Sequence, residues 1–106
     1  MSDFADKVRR LASTGDVRIS EHGYDELAED GLTAREVLDG IQDAVVVEEY
    51  PSYPKGPCVL FLQKDRTGAP IHAVWGIPKG HDKPIVLITA YRPNQGRWDH
   101  SFTRRR

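Results

Sequence analysis

The chain has 106 residues, 39% of them hydrophobic and 29% charged, which excludes a disordered chain and leaves room for one hydrophobic core but not for two. Its formal net charge of -1 is the sum of an acidic half and a basic half. Residues 1–49 carry 5 Lys and Arg against 13 Asp and Glu, whereas residues 50–106 carry 10 Lys and Arg against 3 Asp and Glu. No apolar run approaches the ~18 residues of a membrane-spanning helix and the first residues do not resemble a secretion signal, so we expect a cytoplasmic protein without a membrane partner.

Three short helices are predicted in the acidic half. Apolar residues at helical spacing predict the first helix over residues 3–13. Residues 17–19 are expected to form a short extended link. Ser20 then offers an N-cap oxygen to a second helix that ends near Gly31. Residues 33–36 have the pattern of a capping box, which predicts the start of a third helix.

Four β-strands are predicted in the basic half, over residues 44–50, 58–64, 71–77 and 85–92. Helices followed by a meander of strands predict an α+β domain, with the N-terminal helices packed on one face of a four-stranded antiparallel sheet. We expect this single domain to cover residues 1–98. Residues 99–106 are expected to form a basic tail, and the chain looks loosely organised from Gly96 onwards.

The spacing of potential ligands does not indicate a metal or a cofactor. No pair of the histidines has the separation of a zinc site, and the single cysteine, in an apolar run, has no partner for a disulfide or a metal. A glycine-rich phosphate loop is also missing from the sequence. We therefore expect no metal site and no cofactor.

Cleavage of RNA without a metal requires a base for the 2′-hydroxyl proton, an acid for the leaving oxygen and a cation for the charge on phosphorus. His72, Tyr91 and Arg92 provide these groups within or at the ends of predicted strands and are candidate catalytic residues. Lys55, in a loop, and Arg97, near the tail, are candidate substrate-binding residues. The sequence therefore places a candidate site in the basic half.

Each candidate catalytic residue also has a structural interpretation. His72 could cap the edge of a strand, Tyr91 could be a core aromatic residue, and Arg92 could pair with Glu48 or Glu49. His22 is a further catalytic candidate, at the start of the second helix, where the helix dipole disfavours the imidazolium form. Its structural interpretation is a buried histidine that ties the helix to the sheet.

Short motifs between about residues 17 and 98 resemble a bacterial family of domains of unknown function, family 4258. They are Ile19-Ser20-Glu21-His22, Gly31-Leu32-Thr33, Glu48-Glu49-Tyr50-Pro51, Lys55-Gly56-Pro57, Ile71-His72-Ala73-Val74 and Ile88-Thr89-Ala90-Tyr91-Arg92-Pro93. That family is similar to the RelE, ParE and BrnT toxins. The resemblance implies helices before a small antiparallel sheet and, on the RelE side, ribosome-dependent cleavage of messenger RNA with a neighbouring antitoxin. Two positions depart from the family, which usually has Ala where this chain has Gly23 and Arg where it has Asp30.

Two functions are compatible with these observations. The first is a metal-independent ribonuclease of the RelE and BrnT type, acting on RNA or the ribosome, with an acidic antitoxin covering the basic sheet. The second is a non-catalytic module that uses the same sheet to bind RNA or a protein. No residue pattern argues for a small-molecule site between the helices and the sheet.

Overall fold

A computed structural model describes residues 3–105 of the chain as three helices and five strands, which leaves Arg106, the last residue of the predicted basic tail, outside the described part. The helices are α1 (Asp3–Ser13), α2 (Glu21–Glu29) and α3 (Ala34–Asp39). The strands are β1 (Val17–Ile19), β2 (Val45–Tyr50), β3 (Cys58–Lys64), β4 (Pro70–Gly76) and β5 (Ile85–Tyr91). Within residues 3–105, no helix has the length and apolar character needed to cross a membrane.

The helix starts confirm the capping predictions. The Ser20 hydroxyl accepts a hydrogen bond from the Gly23 amide at 2.9 Å, and the Thr33 hydroxyl accepts one from the Glu36 amide at 3.1 Å. These bonds satisfy backbone donors that have no partner inside the helix. In a complete capping box, the carboxylate three residues after the cap accepts from the backbone amide of the cap residue. Here the Glu36 carboxylate instead accepts from the Thr33 hydroxyl at 3.3 Å. Local sequence therefore sets where α2 and α3 begin.

The sheet is mixed and has the strand order β1-β5-β4-β3-β2. Strands β2 to β5 form the predicted antiparallel meander, but β1 pairs with β5 in parallel and makes a fifth strand. The prediction of a four-stranded antiparallel sheet is therefore wrong. Residues 17–19 are too few to show the alternation of a strand, and their partners lie almost seventy residues later in the chain.

One face of the sheet forms the hydrophobic core with the helices. Its largest buried side chain is that of Trp75, and Phe61, Ile71 and Leu87 lie in the same cluster. Because side chains alternate along a strand, the remaining strand residues point to the opposite face, which we call the second face. The helix α2 contains four acidic residues and no Lys or Arg, so it places negative charge on the side of the sheet opposite the second face.

The C-terminal segment, residues 94–105, packs on the second face. Trp98 is 5% exposed and forms an isolated antiparallel bridge with Arg105, while the Asp99 amide donates to the Arg104 carbonyl at 2.9 Å. The expectation that the chain is loosely organised from Gly96 onwards is therefore wrong for residues 96–105. The contacts that order this segment are made with distant strands, so the local composition of the tail did not show them.

Candidate functional site

An open cleft of about 630 Å³ lies between the end of β5 and the C-terminal segment, and we call it the arginine cleft. Its lining consists of three arginines, two aromatic residues and two small or polar residues: Tyr91, Arg92, Asn94, Gly96, Arg97, Trp98 and Arg105. Among residues 3–105, no carboxylate belongs to this lining. A concave surface lined by cations attracts anionic groups.

His72 lies against the wall of the arginine cleft because the pairing of β4 with β5 sets it directly opposite Tyr91. Its side chain is fully buried, and both ring nitrogens have partners. His72 Nε2 lies 2.7 Å from the Phe102 carbonyl oxygen, and His72 Nδ1 lies 3.3 Å from the Tyr91 hydroxyl. Since a carbonyl only accepts, Nε2 carries the proton of the neutral ring, and Nδ1 accepts from the Tyr91 hydroxyl.

Burial moves the pKa values of this pair apart. It lowers the pKa of His72, an effect that the charge of Arg105 strengthens and the hydrogen bond to the Phe102 carbonyl opposes. Burial also raises the pKa of Tyr91. The charge on Tyr50 raises this pKa further, whereas the charge on Arg105 lowers it. Both side chains are therefore neutral at pH 7. The sequence brought His72 and Tyr91 forward as separate candidates, and the structure joins them by a hydrogen bond.

Trp98 and Arg105 complete the site, and the sequence interpretation did not include them. The Trp98 ring stands edge-on to His72 with ring centroids 4.4 Å apart, and the Arg105 Cζ lies 5.0 Å from the Trp98 ring centroid. Arg105 also pairs with Glu48 and forms a hydrogen bond with Tyr50 on β2. Aromatic and basic residues close together in the tail were the available signal, but only the folded chain shows which strand they contact.

The two other arginines of the cleft differ in their pairing. The Arg92 guanidinium pairs with Asp65 at 2.9 Å, and its backbone amide donates to Asp30 at 2.9 Å, so neither Glu48 nor Glu49 is its partner. Arg97 is exposed on the rim and forms no ion pair with any residue between 3 and 105. Its charge is therefore the most available one for a ligand.

Lys55 lies outside the arginine cleft, in a smaller groove at the other end of the second face. We call this the tyrosine groove; it measures about 220 Å³. Its lining is mostly apolar: Tyr53, Lys55, Gly56, Gly76, Ile77, Pro78, Val86 and Ile88. The structure therefore separates Lys55 from the other candidate residues while keeping it on the same face of the sheet.

His22 also lies outside the arginine cleft. Its side chain is 66% exposed on α2, and its Nε2 lies 3.4 Å from a carboxylate oxygen of Glu26. The structural interpretation of a buried histidine between helix and sheet is therefore wrong. The residue of α2 that faces the sheet here is Gly23, which lies against the Leu87 carbonyl. In the described part of the chain, no three His, Cys, Asp or Glu side chains gather where they could hold a metal ion.

A sequence profile of a family described as "Domain of unknown function (DUF4258)" matches residues 19–92. The matched segment contains His72, Tyr91 and Arg92 but ends before Arg97 and Trp98. No curated protein and no solved structure matches the chain. The arginine cleft thus combines one wall from the matched segment with a second wall from the residues that follow it.

Proposed function

The chain belongs to the DUF4258 family, whose description names no activity, and we propose that it is an RNA-binding module that holds phosphate groups in the arginine cleft. The observation that carries this proposal is the lining of the cleft by three arginines, with no carboxylate among the residues between 3 and 105 that line it. A guanidinium can donate two parallel hydrogen bonds to a phosphate. Arg97, on the rim and without an ion pair inside residues 3–105, is the residue that we expect to make the principal contact.

Single-stranded RNA fits these features better than a duplex. Proteins that bind single strands combine cations along the backbone with aromatic side chains on which bases stack. The second face offers cations and aromatic side chains in two places, the arginine cleft and the tyrosine groove. No long helix projects from the domain to enter a groove of a duplex, since α1, the longest helix in residues 3–105, packs on the core.

Binding is favoured over cleavage because the two candidate proton-transfer groups, His72 and Tyr91, are hydrogen-bonded to each other, and the second nitrogen of His72 is engaged by the Phe102 carbonyl. His72 has both nitrogens in hydrogen bonds and a pKa lowered by burial, and Tyr91 has a pKa raised by burial. A general base must accept a proton near neutral pH and reach the substrate. His72 instead accepts from Tyr91, which fixes the position of the hydroxyl.

Fluorescence anisotropy with a labelled uridine octanucleotide at several salt concentrations tests this proposal. We expect Arg97→Gln to weaken binding by about five- to tenfold. It should also reduce the slope of log affinity against log salt concentration by roughly one. The matched control is Arg35→Gln, because Arg35 is exposed on α3, away from the second face. Absence of binding at low salt, or an equal loss in both variants, would contradict the proposal.

A metal-independent ribonuclease is the second candidate, and one observation favours it. Tyr91 lines the same cleft as Arg92 and Arg97, and an acid beside a cation could protonate a leaving oxygen. For this second candidate we propose the ribosome as the site of action and an acidic antitoxin that covers the cleft.

Induced expression in a bacterial host that lacks this gene and its neighbours tests the second candidate. Wild type and the double variant Tyr91→Phe, Arg92→Ala would be compared for growth and for intact messenger RNA. Arrest and RNA loss in the wild type alone would support cleavage, and a bell-shaped pH profile in a purified reaction would follow. Normal growth and intact RNA in both would contradict it.

A further inference from the structure

We propose that the tyrosine groove is a base-binding subsite for the same RNA strand whose phosphate lies in the arginine cleft. This inference rests on the proposed function and adds to it a second site with different chemistry. Tyr53 stacks on a nucleobase there, and Lys55 contacts the phosphate beside that base.

The composition of the tyrosine groove suits a flat apolar ring with a charged neighbour. Tyr53 is 46% exposed, and it lines the groove together with Ile77, Val86 and Ile88. Lys55 is the charged residue of the lining. Stacking on an aromatic ring tolerates any base, because every base has a π-face.

A further cation borders the groove from β1. Arg18 is the register partner of Val86 and is exposed, whereas Val17 and Ile19 pack against the core. Side-chain alternation therefore directs Arg18 to the second face beside Val86. The parallel strand that the sequence did not reveal thus adds positive charge next to the groove, which complements the backbone of a nucleic acid.

The two sites are close enough for one short strand. Gly76 at the groove and His72 at the arginine cleft are both in β4, and the four residue steps between them span about 13 Å. A stacked single strand advances roughly 3.4 Å per nucleotide, so about four nucleotides cover this distance. The side chains between the sites on β4 and β5, Val74 and Thr89, carry no charge that would repel the strand.

Tyr53 can be replaced without removing the contacts that hold its loop. Its amide donates to the Tyr50 carbonyl at 3.4 Å, and its carbonyl accepts from the Gly56 amide at 2.9 Å, so the loop bonds are made by the backbone. We therefore expect Tyr53→Ala to fold. Tyr24→Ala is the matched control, because Tyr24 is 58% exposed on α2, on the other side of the sheet.

The experiment compares two labelled octamers of equal charge, a uridine octanucleotide and an abasic ribose-phosphate octamer. For the uridine octamer we expect Tyr53→Ala to weaken binding about five- to tenfold, and for the abasic octamer we expect no change. Arg97→Gln is expected to weaken binding of both octamers. Tyr24→Ala is expected to bind both like the wild type.

Several results would overturn the inference. Unchanged affinity of Tyr53→Ala for the uridine octamer, together with a loss in Arg97→Gln, would remove the base subsite and leave the proposed function intact. An equal loss of affinity for both octamers in Tyr53→Ala would show that Tyr53 does not act on a base. Failure of the wild type to bind either octamer would overturn the proposed function and this inference together.

Discussion

The hydrogen bond from the buried His72 ring to the Phe102 carbonyl should hold the C-terminal segment on the sheet. The variant His72→Phe keeps an aromatic ring against Trp98 but removes both nitrogens. It therefore leaves the Phe102 carbonyl and the Tyr91 hydroxyl without their partner.

The expected loss in the free energy of unfolding follows from these two hydrogen bonds. A buried polar group left without a partner costs about 1–3 kcal/mol. Tyr91 is only half-buried and lines the open cleft, so its hydroxyl can turn to water, and we assign most of the cost to the Phe102 carbonyl. The total is about 2 kcal/mol, which corresponds to a decrease in melting temperature of roughly 10 °C for a domain of this size.

Thermal unfolding and limited trypsin digestion measure this effect. In His72→Phe we expect a lower melting temperature and faster cleavage after Arg97 and Arg104, because the C-terminal segment opens more often. The matched control is His22→Phe, whose histidine is 66% exposed and should change stability by less than about 0.5 kcal/mol. Equal stability of His72→Phe and wild type, with equal digestion, would refute the role assigned to this histidine.

The same pair makes stability depend on pH. Burial lowers the pKa of His72 in the folded protein below its unfolded value of about 6.5. Above pH 6.5 the ring is neutral in both states, and as the pH falls below that value the unfolded chain binds a proton that the folded chain does not. The wild type should therefore lose up to about 1.4 kcal/mol per pH unit from this group. The advantage of the wild type over His72→Phe should shrink between pH 7 and pH 5.

Two further substitutions probe the packing around the site. Gln63→Leu should lower the free energy of unfolding by about 2–4 kcal/mol in a denaturant titration, because buried Gln63 donates to the Val37 carbonyl at 2.6 Å and accepts from the Trp75 indole at 2.9 Å; an unchanged midpoint would contradict this. Gly23→Ala should lower the melting temperature although Ala favours helices, because its Cβ would lie 2.8 Å from the Leu87 carbonyl oxygen; an increase would show that the backbone yields at little cost.

Local patterns predicted most of the secondary structure. The caps at Ser20 and Thr33 and the alternation along β4 depend on residues a few positions apart, so they can be read from the sequence. His72, Tyr91 and Arg92 were also recognised as polar groups on or beside strands. Which of them touch could not be predicted, because the register of β4 with β5 and the irregularity after Val74 decide it.

The helix starts, the strand meander and the division into an acidic helical half and a basic strand-rich half can be predicted without the structure, since these features depend on neighbouring residues and on composition. Three features are visible only in the folded chain: residues 17–19 join β5, Trp98 and Arg105 fold back on the sheet, and Arg92 pairs with Asp65. These contacts join residues far apart in the chain. Their partners depend on how the whole sheet is assembled, and no local pattern encodes that arrangement.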